Sequence, residues 1–221
     1  MINGELYKKT FLSEKEVKYL RDKNPSPALF LDRDGVIIKE NNHLSDPKRV
    51  KLEKGIKKIL EYISFKNIPI IVITNQSGIY DKKYDWNDFN LVTKRMIFLL
   101  GQKVKISAIY ANGENRNRKN LVWRKPSPKM ILEAKNELNI DIYKSILVGD
   151  RMTDLEAGEK AEIKNLIHVK TGHGEKERKK IINNYKLNKG GKLLKHQLNL
   201  LLLDTLEDLP LKTINDIFNL K

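Results

Sequence analysis

Short apolar runs alternating with helix-patterned segments constrain this chain more than any other feature. Ala28–Leu31, Ile68–Ile73, Val104–Tyr110, Ser145–Val148 and Asn165–Val169 read as strands, and Leu198–Leu203 as a sixth. Of the six residues from Ile68 to Ile73, five are Ile or Val, too apolar for a strand with one wet face. Between the runs, Lys54–Phe65, Asp88–Leu100, Met130–Leu138 and Leu155–Ala161 carry apolar residues at helical spacing. A last helix is expected around Leu211–Leu220. This alternation predicts an α/β fold, a parallel sheet with helices on both faces. Such sheets present ligands at the C-terminal ends of their strands. The polar residues directly after each strand are therefore the candidates for function.

Residues 1–27 are polar and basic and read as an N-terminal helical appendage. Ser13-Glu14-Lys15-Glu16 forms a capping box before Val17 and Leu20. Asn24-Pro25-Ser26-Pro27 then breaks the chain. The main domain is expected over 28–221, with a basic insertion at 175–197. From Lys176 to Lys195 there are eight Lys or Arg and one acid, Glu177. A solvated Lys-rich extension accounts for this stretch; a flap over an anionic substrate and a docking surface are the functional readings.

Four strand ends carry chemistry. The first delivers Asp32-Arg33-Asp34-Gly35. In continued strand geometry Asp32 and Asp34 share a side, where two carboxylates suit a hard cation or an acid/base pair. An ordinary Asp-rich turn reads the same way. The second delivers Thr74-Asn75-Gln76-Ser77-Gly78, a hydroxyl and amides able to meet phosphate oxygens, or equally a helix cap. After the third comes a polar loop, Asn112 to Asn120, with Arg116, Arg118 and Lys119 and no acid after Glu114. Arg124-Lys125 then precedes a helix entered through Pro126 and Pro128. The fourth delivers Asp150-Arg151, with Asp154 one helical turn on. Each element alone is weak. Together they bring a carboxylate pair, a hydroxyl, a lysine and further carboxylates to one sheet edge.

These segments resemble the four motifs of the haloacid dehalogenase (HAD) superfamily of aspartyl phosphatases. The carrying runs are Leu29 to Ile37, Val72 to Ile79, Arg124-Lys125-Pro126 and Leu147 to Arg151 with Asp154. Leu44-Ser45-Asp46-Pro47 and Thr171-Gly172-His173-Gly174 add to the likeness. The subgroup is the capless one that includes heptose 1,7-bisphosphate and histidinol phosphatases. The resemblance implies a HAD-type Rossmann-like sheet without a large cap domain. It implies Asp32 as nucleophile, Asp34 as general acid and base, Thr74 as a phosphoryl contact and Lys125 as a charge-neutralising group. Mg²⁺ would be held by Asp32, the backbone carbonyl of Asp34 and Asp150, with Asp154 behind them. Asn75, Arg124 and Arg151 would meet the substrate, a small anionic phosphate ester.

The subgroup commonly carries a Cys/His zinc loop before Arg-Lys-Pro, but Tyr110 to Trp123 holds neither residue, so no zinc is expected there. Val36-Ile37-Ile38 and Tyr80-Asp81-Lys82 also depart from the subgroup pattern. The expected substrate is D-glycero-D-manno-heptose 1,7-bisphosphate, losing its 7-phosphate; histidinol phosphate and a 3′-phosphorylated polynucleotide are the alternatives. The charge bears on the last of these. The chain has 43 Lys and Arg against 28 Asp and Glu, a net +15 over 221 residues. Such a balance suits polyanions but also follows from Lys-rich composition. The four histidines are scattered and suggest no metal site. There is no cysteine, no apolar run near the roughly 18 residues of a membrane span and no secretory leader pattern. These features predict a cytoplasmic monomer with no membrane partner.

Overall fold

The computed structural model describes residues 6–114, 122–185 and 198–220. The strands are β1 (Leu6–Thr10), β2 (Leu29–Leu31), β3 (Ile70–Asn75), β4 (Ile106–Asn112), β5 (Ile146–Gly149), β6 (Asn165–Val169) and β7 (Asn199–Leu203). They form one sheet in the order β1-β4-β3-β2-β5-β6-β7. All neighbours are parallel except β1, which runs antiparallel to β4. The helices are α1 (Glu14–Arg21), α2 (Ile56–Phe65), α3 (Trp86–Leu100), α4 (Lys129–Leu138), α5 (Met152–Lys160), α6 (Gly174–Asn184) and α7 (Leu211–Phe218).

Strand periodicity divides the core. Leu29, Leu31, Ile70, Val72, Ile146 and Val148 point to one side, where they meet Ile56, Ile59, Leu60 and Ile63 of α2, Phe89 and Met96 of α3, and Ile214 of α7. Phe30, Ile71, Ile73 and Leu147 point to the other, against Met130, Ile131 and Ala134 of α4, Leu155 of α5 and Ile181 of α6. Successive residues of a strand face opposite ways, so a strand covered twice must be apolar throughout. That is the physical reason for the Ile/Val runs.

The structure corrects several boundaries. Helix α3 starts two residues before Asp88, because Asp85 caps it and Asp88 closes a capping box. Helix α5 starts at Met152, three residues before the first apolar-periodic residue Leu155. Within residues 1–27, Ser13 caps α1 as its sequence indicates. Those residues also supply β1, which pairs Leu6 with Asn112 and Thr10 with Ala108. Its sequence, Leu-Tyr-Lys-Lys-Thr, has no apolar alternation, since only Leu6 is buried on this edge. In the basic stretch, α6 extends to Asn184 and anchors through Ile181 and Tyr185. Residues 186–197 lie outside the described residues.

No domain is inserted between β2 and α2: the connection holds a short helical turn at Pro47–Arg49 and isolated bridges joining Ile38 to Asp34 and to Leu52. The described strand ends are therefore open from above. Among the described residues no helix is long and apolar enough to cross a membrane.

Candidate active site

The parallel register sets the geometry. Leu31 lies level with Val72 on one side and Val148 on the other. The Asp32 amide extends the ladder by donating to the Val148 carbonyl at 3.1 Å. Asp32, Thr74 and Asp150 thus emerge side by side from β2, β3 and β5. A cavity of about 460 Å³ opens above them, within the range of small-molecule sites. Asp32, Asp34, Asn75, Arg124, Lys125, Arg151 and Asp154 line it.

Lys125 is the hub. It is 2% exposed, and its Nζ lies 3.0 Å from Asp32 Oδ1 and 2.7 Å from Asp154 Oδ1, and donates to the Ile73 carbonyl at 2.8 Å. Burial alone would push this ammonium down, but the Asp154 and Asp32 carboxylates outweigh it and hold it above its ordinary value. The backbone of Lys125 is clamped as well. Its N–H donates to Asn75 Oδ1 at 3.0 Å, and its carbonyl accepts from Asn75 Nδ2 at 3.1 Å. Asn75, expected from sequence to meet substrate, therefore spends its amide mainly on Lys125 while still lining the cavity.

Asp32, Asp150 and Asp154 each offer an oxygen within 4.8 Å of the others. Asp150 is fully buried. Its Oδ2 accepts from the His173 N–H at 2.7 Å, and its Oδ1 has no hydrogen-bond partner among the described residues. Burial, then the Asp154 and Asp32 carboxylates, raise the Asp150 carboxyl well above the usual range. Asp154 is also raised, by burial first; Lys125 works against this and Asp32 adds to it. Three acids crowded in low dielectric with one orphaned oxygen are a donor set for a hard divalent cation. Two glycines permit the close approach. Gly35 (φ +84°) and Gly172 (φ +58°) cross above Asp150, and a Cβ on either would come within 2.5 Å of its Oδ2.

Asp34 stands apart from that cluster. Arg33 holds its carboxylate through Nε and Nη2 at 3.1 Å each, and Gln76 Nε2 donates to its Oδ2 at 2.8 Å. Gln76 Nε2 also donates to Thr74 Oγ1 at 2.8 Å, while Gln76 Oε1 accepts from Arg33 at 3.0 Å and from Tyr84 Oη at 2.6 Å. One amide thereby ties the second aspartate to the threonine. Sequence reasoning gave no individual role to Gln76, Arg33, Tyr84 or Glu114. Gln76 was findable, since period two places it on the side of Thr74. Arg33 was not, because it folds back, fully buried, with its guanidinium 4.8 Å from the Phe89 ring.

Two of the histidines that look scattered in sequence meet here. His173 gives its amide to Asp150, and its ring lies 3.6 Å from Glu40. His168, fully buried in β6, accepts from Arg178 Nε at its Nδ1 (2.9 Å), which leaves Nε2 as the donor to the Asp150 carbonyl (3.0 Å). Burial, helped by Arg178, pushes His168 down to about 4 from its ordinary 6.5. The folded protein then binds fewer protons than the unfolded chain between those values. The stabilisation is complete above about pH 6.5 and declines towards pH 4, by at most about 3 kcal/mol. Urea midpoints at pH 7 and pH 4.5 should fall more in the wild type than in His168→Gln. Equal losses would mean that His168 is not held neutral.

Comparison with known proteins follows the same lines. Residues 122–187 match the HAD-hydrolase-like family. A Photorhabdus laumondii protein named D-glycero-alpha-D-manno-heptose-1,7-bisphosphate 7-phosphatase is 39% identical over 165 residues, 70% of this chain and 88% of that protein. The chain belongs to the HAD phosphatases. A Mesorhizobium japonicum relative of this phosphatase, named for the beta anomer of the same bisphosphate, is 34% identical over 61% of this chain and 65% of its own length. The fold is that of the D,D-heptose 1,7-bisphosphate phosphatase of B. bronchiseptica, solved with magnesium and phosphate. The TM-score is 0.72 at 21% identity, over 86% of this chain and 99% of that one. The α/β class, the HAD-type sheet and phosphatase activity expected from the motifs all hold. The loop from 115 to 121, with Arg116, Arg118 and Lys119, lies outside the described residues.

Proposed function

We propose that this phosphatase hydrolyses D-glycero-D-manno-heptose 1,7-bisphosphate at its 7-phosphate, with Mg²⁺, through an aspartyl-phosphate on Asp32. The observation that carries the reading is the buried Asp32–Lys125–Asp154 bridge beside the unpartnered oxygen of Asp150. Relatives named for that substrate, with either anomer, support its choice.

The residues divide the work by position. Asp32 is fixed through Oδ1 by Lys125 and by the Arg33 N–H at 2.8 Å, aimed for in-line attack on phosphorus. As its oxygen bonds to phosphorus, the bond to the sugar oxygen breaks, and Asp34 delivers a proton to that leaving oxygen. Asp34 then takes a proton from water, which attacks the phosphorus, frees Asp32 and releases inorganic phosphate. Arg33 and Gln76 hold Asp34 in reach for both transfers. Thr74 accepts from Gln76, which leaves its hydroxyl hydrogen to donate to a phosphoryl oxygen. Arg124 and Arg151 meet the anionic substrate from the cavity wall, and Asn75 acts chiefly by holding Lys125.

A carboxylate approaching a phosphate dianion is repelled by about 4 kcal/mol per charge pair at ~4 Å and an effective dielectric of ~20. Lys125 offsets part of that. Mg²⁺, held by Asp32, Asp150 and the Asp34 carbonyl with Asp154 behind them, would supply the remaining charge neutralisation. On this reading the protein is a cytoplasmic monomer that needs no zinc and no membrane.

The test is Mg²⁺-dependent phosphate release from both anomers of heptose 1,7-bisphosphate, fructose 1,6-bisphosphate, histidinol phosphate and a 3′-phosphorylated oligonucleotide. A preference of at least about tenfold in kcat/KM for a heptose anomer is expected. Preference for histidinol phosphate would overturn the substrate and keep the mechanism. Preference for the oligonucleotide, with steep salt dependence, would make the +15 charge functional and overturn the substrate class.

A further inference from the structure

Glu114 follows the end of β4 and is 1% exposed. A buried carboxyl is costly unless donors converge on it, and here they do. Its Oε2 accepts from the Trp123 N–H at 3.1 Å, the Arg124 N–H at 3.0 Å and Asn112 Nδ2 at 2.9 Å. Its Oε1 accepts from the Val122 N–H at 3.4 Å. Asn112 closes the arrangement, since its Oδ1 accepts the Glu114 N–H at 3.1 Å. One side chain therefore collects three consecutive backbone amides of the segment that carries Arg124.

The next residue is held by something else. Lys125 is clamped at its backbone by Asn75 and at its ammonium by Asp32, Asp154 and the Ile73 carbonyl. Among the described residues Glu114 thus holds the amides of 122–124 and Asn75 the backbone of 125, while Ser127 donates its Oγ–H to the Val122 carbonyl at 2.7 Å and its N–H to the Arg124 carbonyl at 2.8 Å. Between Tyr110 and Trp123 there is no Cys or His.

We infer that Glu114 is a positioning residue for substrate binding: it fixes the backbone of Arg124 at the cavity wall, independently of Lys125. The inference rests on the phosphatase reading above, since it gives Arg124 a substrate to meet. Its consequence is an asymmetry. Loss of Glu114 loosens the arginine and leaves the lysine, so binding weakens while the chemical step is kept. Arg124 itself lines the cavity that Asp32 and Lys125 enter.

The experiment uses the full chain with Glu114→Ala and Glu114→Gln. Steady-state kinetics are run on whichever phosphate ester the wild type turns over, and amide hydrogen exchange is measured on both variants without substrate. For Glu114→Ala, KM should rise about tenfold with kcat changed less than about threefold. Peptides covering 122–124 should exchange faster, and those of β3 and α5 as in the wild type. Glu114→Gln keeps one acceptor oxygen and should lie between the two, and it carries the test if the alanine variant does not fold. Unchanged KM alongside faster exchange would reduce Glu114 to a packing role and overturn the inference. So would a kcat loss exceeding the KM change, which would place its effect on Lys125. Unaltered exchange would overturn the clamp itself. A wild type that hydrolyses no phosphate ester would instead sink the phosphatase reading, with the exchange result still deciding the clamp.

Discussion

Asp32→Asn is expected to lower phosphate release by at least about 10³-fold, while the unfolding free energy changes by about 1 kcal/mol or less. The asparagine fills the same space and still offers an oxygen to Lys125 Nζ, now 3.0 Å from Asp32 Oδ1. What it lacks is a nucleophilic carboxylate, so a covalent phosphoryl intermediate cannot form. Lys125 keeps its 2.7 Å partner Asp154, which is why the fold should tolerate the change. Phosphate release and thermal melts on the same preparation check both halves. Near-normal turnover by this variant would remove Asp32 from the role of nucleophile and with it the proposed mechanism.

Chelation is expected to have an effect of comparable size. With EDTA, activity should fall by about 10³-fold, because a repulsion of about 4 kcal/mol between carboxylate and phosphate is left without its main counter-charge. Millimolar Mg²⁺ should restore it. A second readout needs no substrate. Burial and mutual repulsion raise the Asp150 and Asp154 carboxyls, so a bound divalent ion would relieve a destabilised cluster. Mg²⁺ should therefore raise the melting temperature of the wild type by mass action and not that of Asp150→Asn. Activity indifferent to EDTA, or an equal thermal shift in the variant, would remove the metal assignment.

Asp32, Asp34, Asp150 and Asp154 stand out in the sequence because they follow an apolar run or open a helix, and Lys125 because it precedes a proline-led helix entrance, where an α/β sheet presents its ligand edge. Gln76, Arg33, Glu114 and His168 do not. Each works through contacts with distant segments or a turned-back side chain: Gln76 joining Asp34 to Thr74, Arg33 turned back onto Asp34, Glu114 under three amides, His168 between Arg178 and the Asp150 carbonyl. A side chain that acts by what lies opposite it leaves no periodic or compositional trace. The same holds for β1. Its residues alternate no apolar pattern, and only the exposed edge of β4 makes them a strand.

The sequence by itself determined the class of fold, the central strands with their covering helices, and the five charged residues at the strand ends. Local patterning and burial on two faces force those features wherever such runs occur. Tertiary structure alone decided that Asp154, one turn into α5, reaches Lys125 at 2.7 Å, that Asn75 grips the lysine backbone, and that one oxygen of Asp150 is left without a partner. Those contacts join residues 29 (Lys125 to Asp154) and 50 (Asn75 to Lys125) positions apart, fixed by how β2, β3 and β5 lie side by side. Their energies depend on distances of a few ångströms in a low dielectric, and no linear pattern encodes such distances.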